Sequence, residues 1–141
     1  MRTIASISTL VFLSACSSGV YRPVNANKVS SIVPAPATEQ PAKITVKRYK
    51  VFWGGGLDGR FTINRKEIVK LSRGEMYSFT IDPGKYEFGV KSYQPMALIP
   101  IPMYFKYDLK VESGKEYVFY LYATGGMGVA IDLVTNQADW D

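Results

Sequence analysis

The sequence predicts an all-β protein: a single small β-sandwich of about seven antiparallel strands. Three observations point there. Apolar and polar residues alternate with period two, most cleanly where Met103, Phe105, Tyr107, Leu109 and Val111 interleave with Tyr104, Lys106, Asp108 and Lys110. Turn chemistry recurs at roughly ten-residue intervals, as sandwiches require; Asp82-Pro83-Gly84-Lys85 and Glu112-Ser113-Gly114-Lys115 are examples. No stretch carries a convincing helical period, and the aromatic, β-branched and glycine content opposes one.

Residues 1–15 read as a signal peptide ahead of this domain. Arg2 supplies a positive start, Ile4 to Leu13 is mostly apolar, and Ser14 and Ala15 put small residues before Cys16, the chain's single cysteine. A transmembrane helix needs about 20 apolar residues, and Ser6, Ser8, Thr9 and Ser14 interrupt a shorter run. The order and position of Leu13-Ser14-Ala15-Cys16 resemble the lipobox of bacterial lipoproteins. That resemblance implies cleavage before Cys16, a thioether from its thiol to diacylglycerol, and fatty acylation of the new amino group. The alternative leaves a lone free thiol in an oxidising compartment. Ser17 rather than Asp after the cysteine implies, through the same resemblance, the outer membrane; the periplasmic face is the expected side, although Ser17 does not specify it.

Residues 16–42 are expected to form a flexible tether. Pro23, Pro34, Pro36 and Pro41 punctuate a segment rich in Ser, Ala and Asn, which cannot bury enough surface to offset its ordering entropy. Such a chain spans about 30 Å, so the domain of residues 43–141 would ride above the bilayer. The alternative is a short β-segment around Val29 to Val33. The remaining length suits one domain and is too short for two.

Within that domain each strand has its own signal. Ile44 and Val46 begin the first, with Val51 and Trp53 after it. Phe61 and Ile63 lie two apart, Asn64-Arg65-Lys66 turns, and Ile68 to Leu71 returns. Tyr77, Phe79 and Ile81 alternate with Ser78 and Thr80, and Pro83-Gly84 turns the chain into Tyr86, Phe88 and Val90. The long strand Met103 to Val111 follows, then Tyr117 to Tyr122, then Val129, Ile131 and Leu133 after Gly125-Gly126.

The run Phe61-Thr62-Ile63-Asn64, Ile68 to Leu71, Ser72-Arg73-Gly74-Glu75-Met76-Tyr77 and Ile81-Asp82-Pro83-Gly84-Lys85-Tyr86-Glu87-Phe88 resembles the small β-sandwich domains of uncharacterised bacterial lipoproteins. It is similar in pattern to PEGA surface-layer domains. Glu112-Ser113-Gly114-Lys115-Glu116-Tyr117 is similar to a later hairpin of the same lipoproteins. The resemblance covers roughly Lys43 to Leu133. It rests on turn chemistry, so it implies a fold and transfers no activity, cofactor or catalytic residue.

The chemistry available is narrow. The chain has no histidine, which removes Ser-His-Asp and Cys-His catalysis and His-ligated zinc. Cys16 is assigned to lipid, so thiolate chemistry and disulfides go with it. Asp58, Asp82, Glu87, Asp108 and Asp132 are the carboxylates from which a glycosidase-type pair would have to come; each reads more simply as a turn residue or a solvated strand position. The glycines of Trp53 to Gly59 lack the Gly-Lys-Ser/Thr ending and following helix of a phosphate loop. Trp53, Trp140 and several tyrosines are candidates for stacking on peptidoglycan or lipopolysaccharide sugars, or simply core. The 17 Lys and Arg outnumber 12 Asp and Glu, for a net charge of +5 that falls by one when Arg2 is lost. The cations are scattered along strand-like segments. They serve as solvated faces, or draw the domain to anionic headgroups. A place outside the cytoplasm disfavours nucleic acid.

The segment Gln94 to Met103 is apolar but broken by Pro95, Pro100 and Pro102, so it is no ordinary central strand. Leu98, Ile99 and Ile101 are the candidates for contact with a partner or membrane. Their parity predicts that Ile99 and Ile101, in step with Met103 and Phe105, cap the core, while Leu98 is exposed. The expectation is a non-enzymatic envelope lipoprotein without cofactor or metal. It is bound to the bilayer through acylated Cys16 and acts as a binding or structural module whose partner the sequence does not name, an envelope protein or a glycan being the candidates. The alternatives are a glycan-binding module and a carboxylate-based envelope hydrolase.

Overall fold

A computed structural model describes residues 21–50, 57–94, 99, 101–124 and 128–134. Those residues form two packed sheets, the all-β sandwich the alternation predicts. The strands are β1 (Arg22–Pro23), β2 (Ala42–Arg48), β3 (Gly59–Ile63), β4 (Lys66–Leu71), β5 (Glu75–Ile81), β6 (Gly84–Gln94), β7 (Ile101–Val111), β8 (Glu116–Ala123) and β9 (Val129–Leu133). One sheet has the order β1-β5-β2-β8-β9 and the other β4-β3-β6-β7.

Local chemistry places the turns. Asn64 and Arg65 both take positive φ, 48° and 68°, the two-residue hairpin geometry that matches strand twist. The Asn64 side chain fastens it by accepting the Glu87 N–H at 2.9 Å. Gly74 at φ 77° and Gly114 at φ 69° make the turns into β5 and β8, a conformation cheap only for glycine.

The inward-facing residues then meet between the sheets. Phe61, Phe88 and Phe119 are fully buried. The Phe61 ring stands 6.0 Å from Phe88, and Phe88 stands 4.8 Å from Phe119. Ile44, Val46, Val69, Leu71, Val90, Val111, Leu121 and Val129 complete the core. Gly59 lets the sheets close tightly, because a Cβ there would crowd the Leu121 side chain at 3.0 Å. Arg48 seals the same end. Its buried guanidinium donates to the carbonyls of Leu121 at 3.3 Å and Leu57 at 3.2 Å. Burial chiefly lowers its pKa, against the opposing pull of Asp58.

Two expectations are corrected. The strands are not all antiparallel: β2 runs parallel to β8, with Ile44 opposite Tyr117 and Val46 opposite Phe119, and β1 runs parallel to β5. Side chains alternate identically in both orientations, so alternation carries no sign of direction.

The tether is also not free from residue 21 onward, and the folded unit does not begin at Lys43. Arg22 N–H donates to Gly74 O at 2.8 Å, Val24 N–H to Met76 O at 2.9 Å, and Ser30 N–H to Ile68 O at 2.8 Å. Val29 bridges Val69, the short β-contact that was the alternative reading. A single 3₁₀ turn, Ala26–Lys28, brings Lys28 to the Glu75 carboxylate at 2.9 Å. Asp82 accepts the N–H groups of Ala37 and Thr38. Val24, Val29 and Val33 pack on the core. The segment satisfies the otherwise open edge of β5, and that pairing offsets the entropy that composition alone says it cannot recover.

Candidate interaction surface

The β6–β7 hairpin outgrows the rest of the sandwich. Its strands pair from Gly84 opposite Val111 to Gln94 opposite Ile101. The other neighbour of β6 ends earlier, at Arg60 opposite Lys91. Past that level the hairpin is clasped by the start of β9. Ser92 Oγ accepts the Val129 N–H at 2.9 Å. Gly128, at φ 94°, fits only because it has no side chain: a Cβ would stand 2.5 Å from Ser92 Oγ and 3.3 Å from Met103 Cβ.

Beyond the clasp the side chains are open to solvent. Tyr93 is 49% exposed, Ile99 78% and Ile101 47%. Of the four large apolar side chains exposed among the described residues, these are three; the fourth is Ile32. The core-capping role expected for Ile99 and Ile101 is therefore corrected. Parity places Ile101 on the inward face, but among the described residues the facing strands β8 and β9 end their pairing at Ala123 opposite Val129, at the level of Ser92. Leu98 and Cys16 lie outside the described residues, as do Trp53, Trp140 and most of the glycine-rich 54–59 and 125–128 segments.

The outer face of the β4-β3-β6-β7 sheet carries a polar network. Tyr104 lies flat over Gly89, where a Cβ would meet its ring at 2.6 Å. Its hydroxyl donates to Glu87 at 2.8 Å and lies 3.3 Å from Thr62 Oγ1. Arg65 approaches Glu87 at 3.3 Å and Lys106 approaches it at 3.6 Å. The Tyr104 hydroxyl holds the Glu87 carboxyl below its ordinary value against the opposing effect of burial, and Arg65 and Lys106 add to the depression.

Of the five carboxylates singled out in the sequence, Glu87 and Asp108 are brought side by side across β6 and β7, with Lys106 also 3.2 Å from Asp108. Asp58 pairs with Lys70 at 3.0 Å, Asp82 holds backbone amides, and Asp132 accepts the Leu133 N–H. A proton donor of glycosidase type needs a carboxyl pushed upward; Glu87 is displaced the other way. Among the described residues, no group of three or more His, Cys, Asp or Glu is placed to hold a metal, and no helix is long and apolar enough to cross a membrane.

The remaining aromatic cluster sits where the chain comes onto the sandwich. Tyr21 and Tyr49 meet Tyr120 edge-on at 6.0 and 6.2 Å. The Lys50 and Lys47 ammonium groups lie 4.7 and 5.1 Å from the Tyr21 ring centre. These rings are engaged with one another and with cations, which sequence alone could not distinguish from a sugar platform. A separate pocket of 240 Å³ lies at the opposite end, between Ile32 to Pro34 and the side chains of Ile63, Ile68 and Tyr86.

No protein-family model matches the chain, and no curated protein matches it. Among solved structures it is similar to the NMR structure of a protein from Eubacterium rectale, at 14% identity and a TM-score of 0.43, over 74% of this chain and 98% of that one.

Proposed function

We propose that the protein is a lipid-anchored envelope module. It is held in the outer membrane, on the periplasmic face, through acylated Cys16, and its β-sandwich works by binding or by structural support. The observation that carries this reading is the Leu13-Ser14-Ala15-Cys16 pattern behind a charged and apolar leader, with no other cysteine in the chain. Several features support the non-catalytic part. The chain lacks histidine, the adjacent carboxylates Glu87 and Asp108 share Lys106, and the exposed apolar side chains concentrate on one hairpin end.

Metabolic labelling with a fatty-acid analogue tests the anchor. The natural chain should take up label, and Cys16→Ala should abolish it and accumulate as an uncleaved precursor. Label that persists in Cys16→Ala removes the assignment.

A further inference from the structure

We propose that the β6–β7 hairpin end bearing Tyr93, Ile99 and Ile101 rests in the interfacial layer of the bilayer that holds Cys16, so that the domain stands on the membrane by this end. The inference rests on the anchored reading above and adds an orientation and a contact.

Chain length fixes the first point. Arg22 pairs with Glu75, the first residue of β5, and the chain then runs down that strand. Tyr21 therefore marks the end of the sandwich where β5 and β9 begin and β6 finishes, because Gly74 N–H donates to Arg48 O and Val129 N–H to Ser92 Oγ at that same end. Cys16 is five residues before Tyr21, a reach of about 18 Å even when fully extended. From Glu75 to Ile81 the body already descends about 20 Å, and the Ser113–Gly114 turn, joined to Gln40, lies beyond that. The leader is too short to present the far end to the bilayer. It holds the Tyr21 end there.

Surface chemistry supplies the second. The hairpin end on that side carries the concentration of exposed apolar residues described above, and an aromatic ring beside aliphatic side chains suits the headgroup boundary.

Cations are available for headgroup contact at this end, where Arg22, Lys50 and Arg73 are exposed. Lys43, Lys66, Lys85, Lys110 and Lys115 are exposed at the opposite end, so the orientation rests on chain length and on the apolar residues and not on charge.

The test uses the full lipidated protein in vesicles of phosphatidylethanolamine and phosphatidylglycerol, with and without brominated acyl chains. Ile99→Cys and, at the far end, Ser113→Cys each receive an environment-sensitive fluorophore; the thioether at Cys16 leaves the new thiol as the only one. Mass spectrometry confirms the lipid, and circular dichroism confirms the fold. Tyr93→Cys replaces Ile99→Cys if that variant is unfolded. The expected result is blue-shifted emission at residue 99 that brominated lipid quenches, with emission at residue 113 unaltered.

Equal, unquenched emission at both positions in protein that carries its lipid overturns the contact and leaves the anchor standing. Absence of the lipid mass overturns both. A blue shift at residue 99 without quenching, together with a doubled mass in detergent, assigns the surface to a second copy of this chain and also overturns the proposal.

Discussion

Lys28→Met tests whether the proline-rich segment is part of the folded unit. The substitution keeps the aliphatic stem and deletes the ammonium. Lys28 Nζ lies 2.9 and 3.0 Å from the two Glu75 oxygens and 2.8 Å from Ser72 Oγ. Glu75 is buried, and without Lys28 its remaining donor is the Ser72 N–H at 2.8 Å. Stranding a fully buried charge costs about 3–5 kcal/mol. The Lys28 side chain is 29% exposed, so water reaches part of the site and the expected loss is about 1–3 kcal/mol. For a domain of this size that corresponds to roughly 3–10 °C in Tm. Glu75→Gln in the same background should recover part of the loss, because a neutral amide tolerates burial better, and the cycle should show coupling of about 1–2 kcal/mol.

Denaturant titration gives the energies, and amide hydrogen exchange shows where they act. The Val24 and Ser30 amides, bonded to Met76 and Ile68 carbonyls, should be protected in the natural chain and lose protection in Lys28→Met before the core does. A variant within about 0.5 kcal/mol of the natural chain, or free-peptide exchange at Val24 and Ser30 before any mutation, would refute the docked segment.

Two further perturbations address the outer elements. Gly128→Ala places a side chain at φ 94° with its Cβ 2.5 Å from Ser92 Oγ, so it should cost about 2–3 kcal/mol and loosen the clasp under the hairpin end; chemical denaturation and exchange of the Val129 amide report both. Glu87 has a carboxyl depressed in the folded state, chiefly by the Tyr104 hydroxyl. Its contribution is therefore present above the unfolded carboxyl pKa of about 4.3 and is lost as pH falls through the lower folded value. Glu87→Gln should make the acid limb of a stability-against-pH curve shallower while leaving the alkaline limb unaltered, and an unaltered acid limb would contradict the assignment.

Alternation and turn chemistry made the strands from β2 to β9 legible because both are local. Met103 to Val111 can bury one face only as a strand, and Pro83-Gly84, or Asn64 with its tolerance of positive φ, marks a reversal of the chain. What escaped was set by distant parts of the chain. The direction of β2 beside β8 is a property of the connection between them, and nothing in Ala42 to Arg48 encodes it. The exposure of Ile101 escaped for a related reason. Parity identifies the face of a strand, and here it did so; whether the opposing sheet reaches that height depends on where β8 ends and β9 begins. Tyr104 over Gly89 is the one outer-face feature with a local trace, since an isolated glycine in a strand often marks close approach by another group.

The N-terminal segment shows how a local misreading changes a functional inference. Val24, Val29 and Val33 follow neither a strand nor a helix period, and Pro23 and Pro34 flank them, so composition places the segment with flexible linkers. Its order comes from what it lies against: the unpaired edge of β5, the Ile68 carbonyl and the buried Glu75. A free tether would let the domain face the bilayer in any orientation and would give the apolar hairpin end no preferred partner. With Tyr21 fixed beside β5, the leader to Cys16 is shorter than the sandwich is tall. Under the proposed acylation of Cys16, orientation then follows from covalent length, and the same end carries the uncovered Tyr93, Ile99 and Ile101. Isoleucines that fail to cap a core are costly to leave in water, and under the proposed anchor at Cys16 the bilayer would be the nearest apolar phase to cover them.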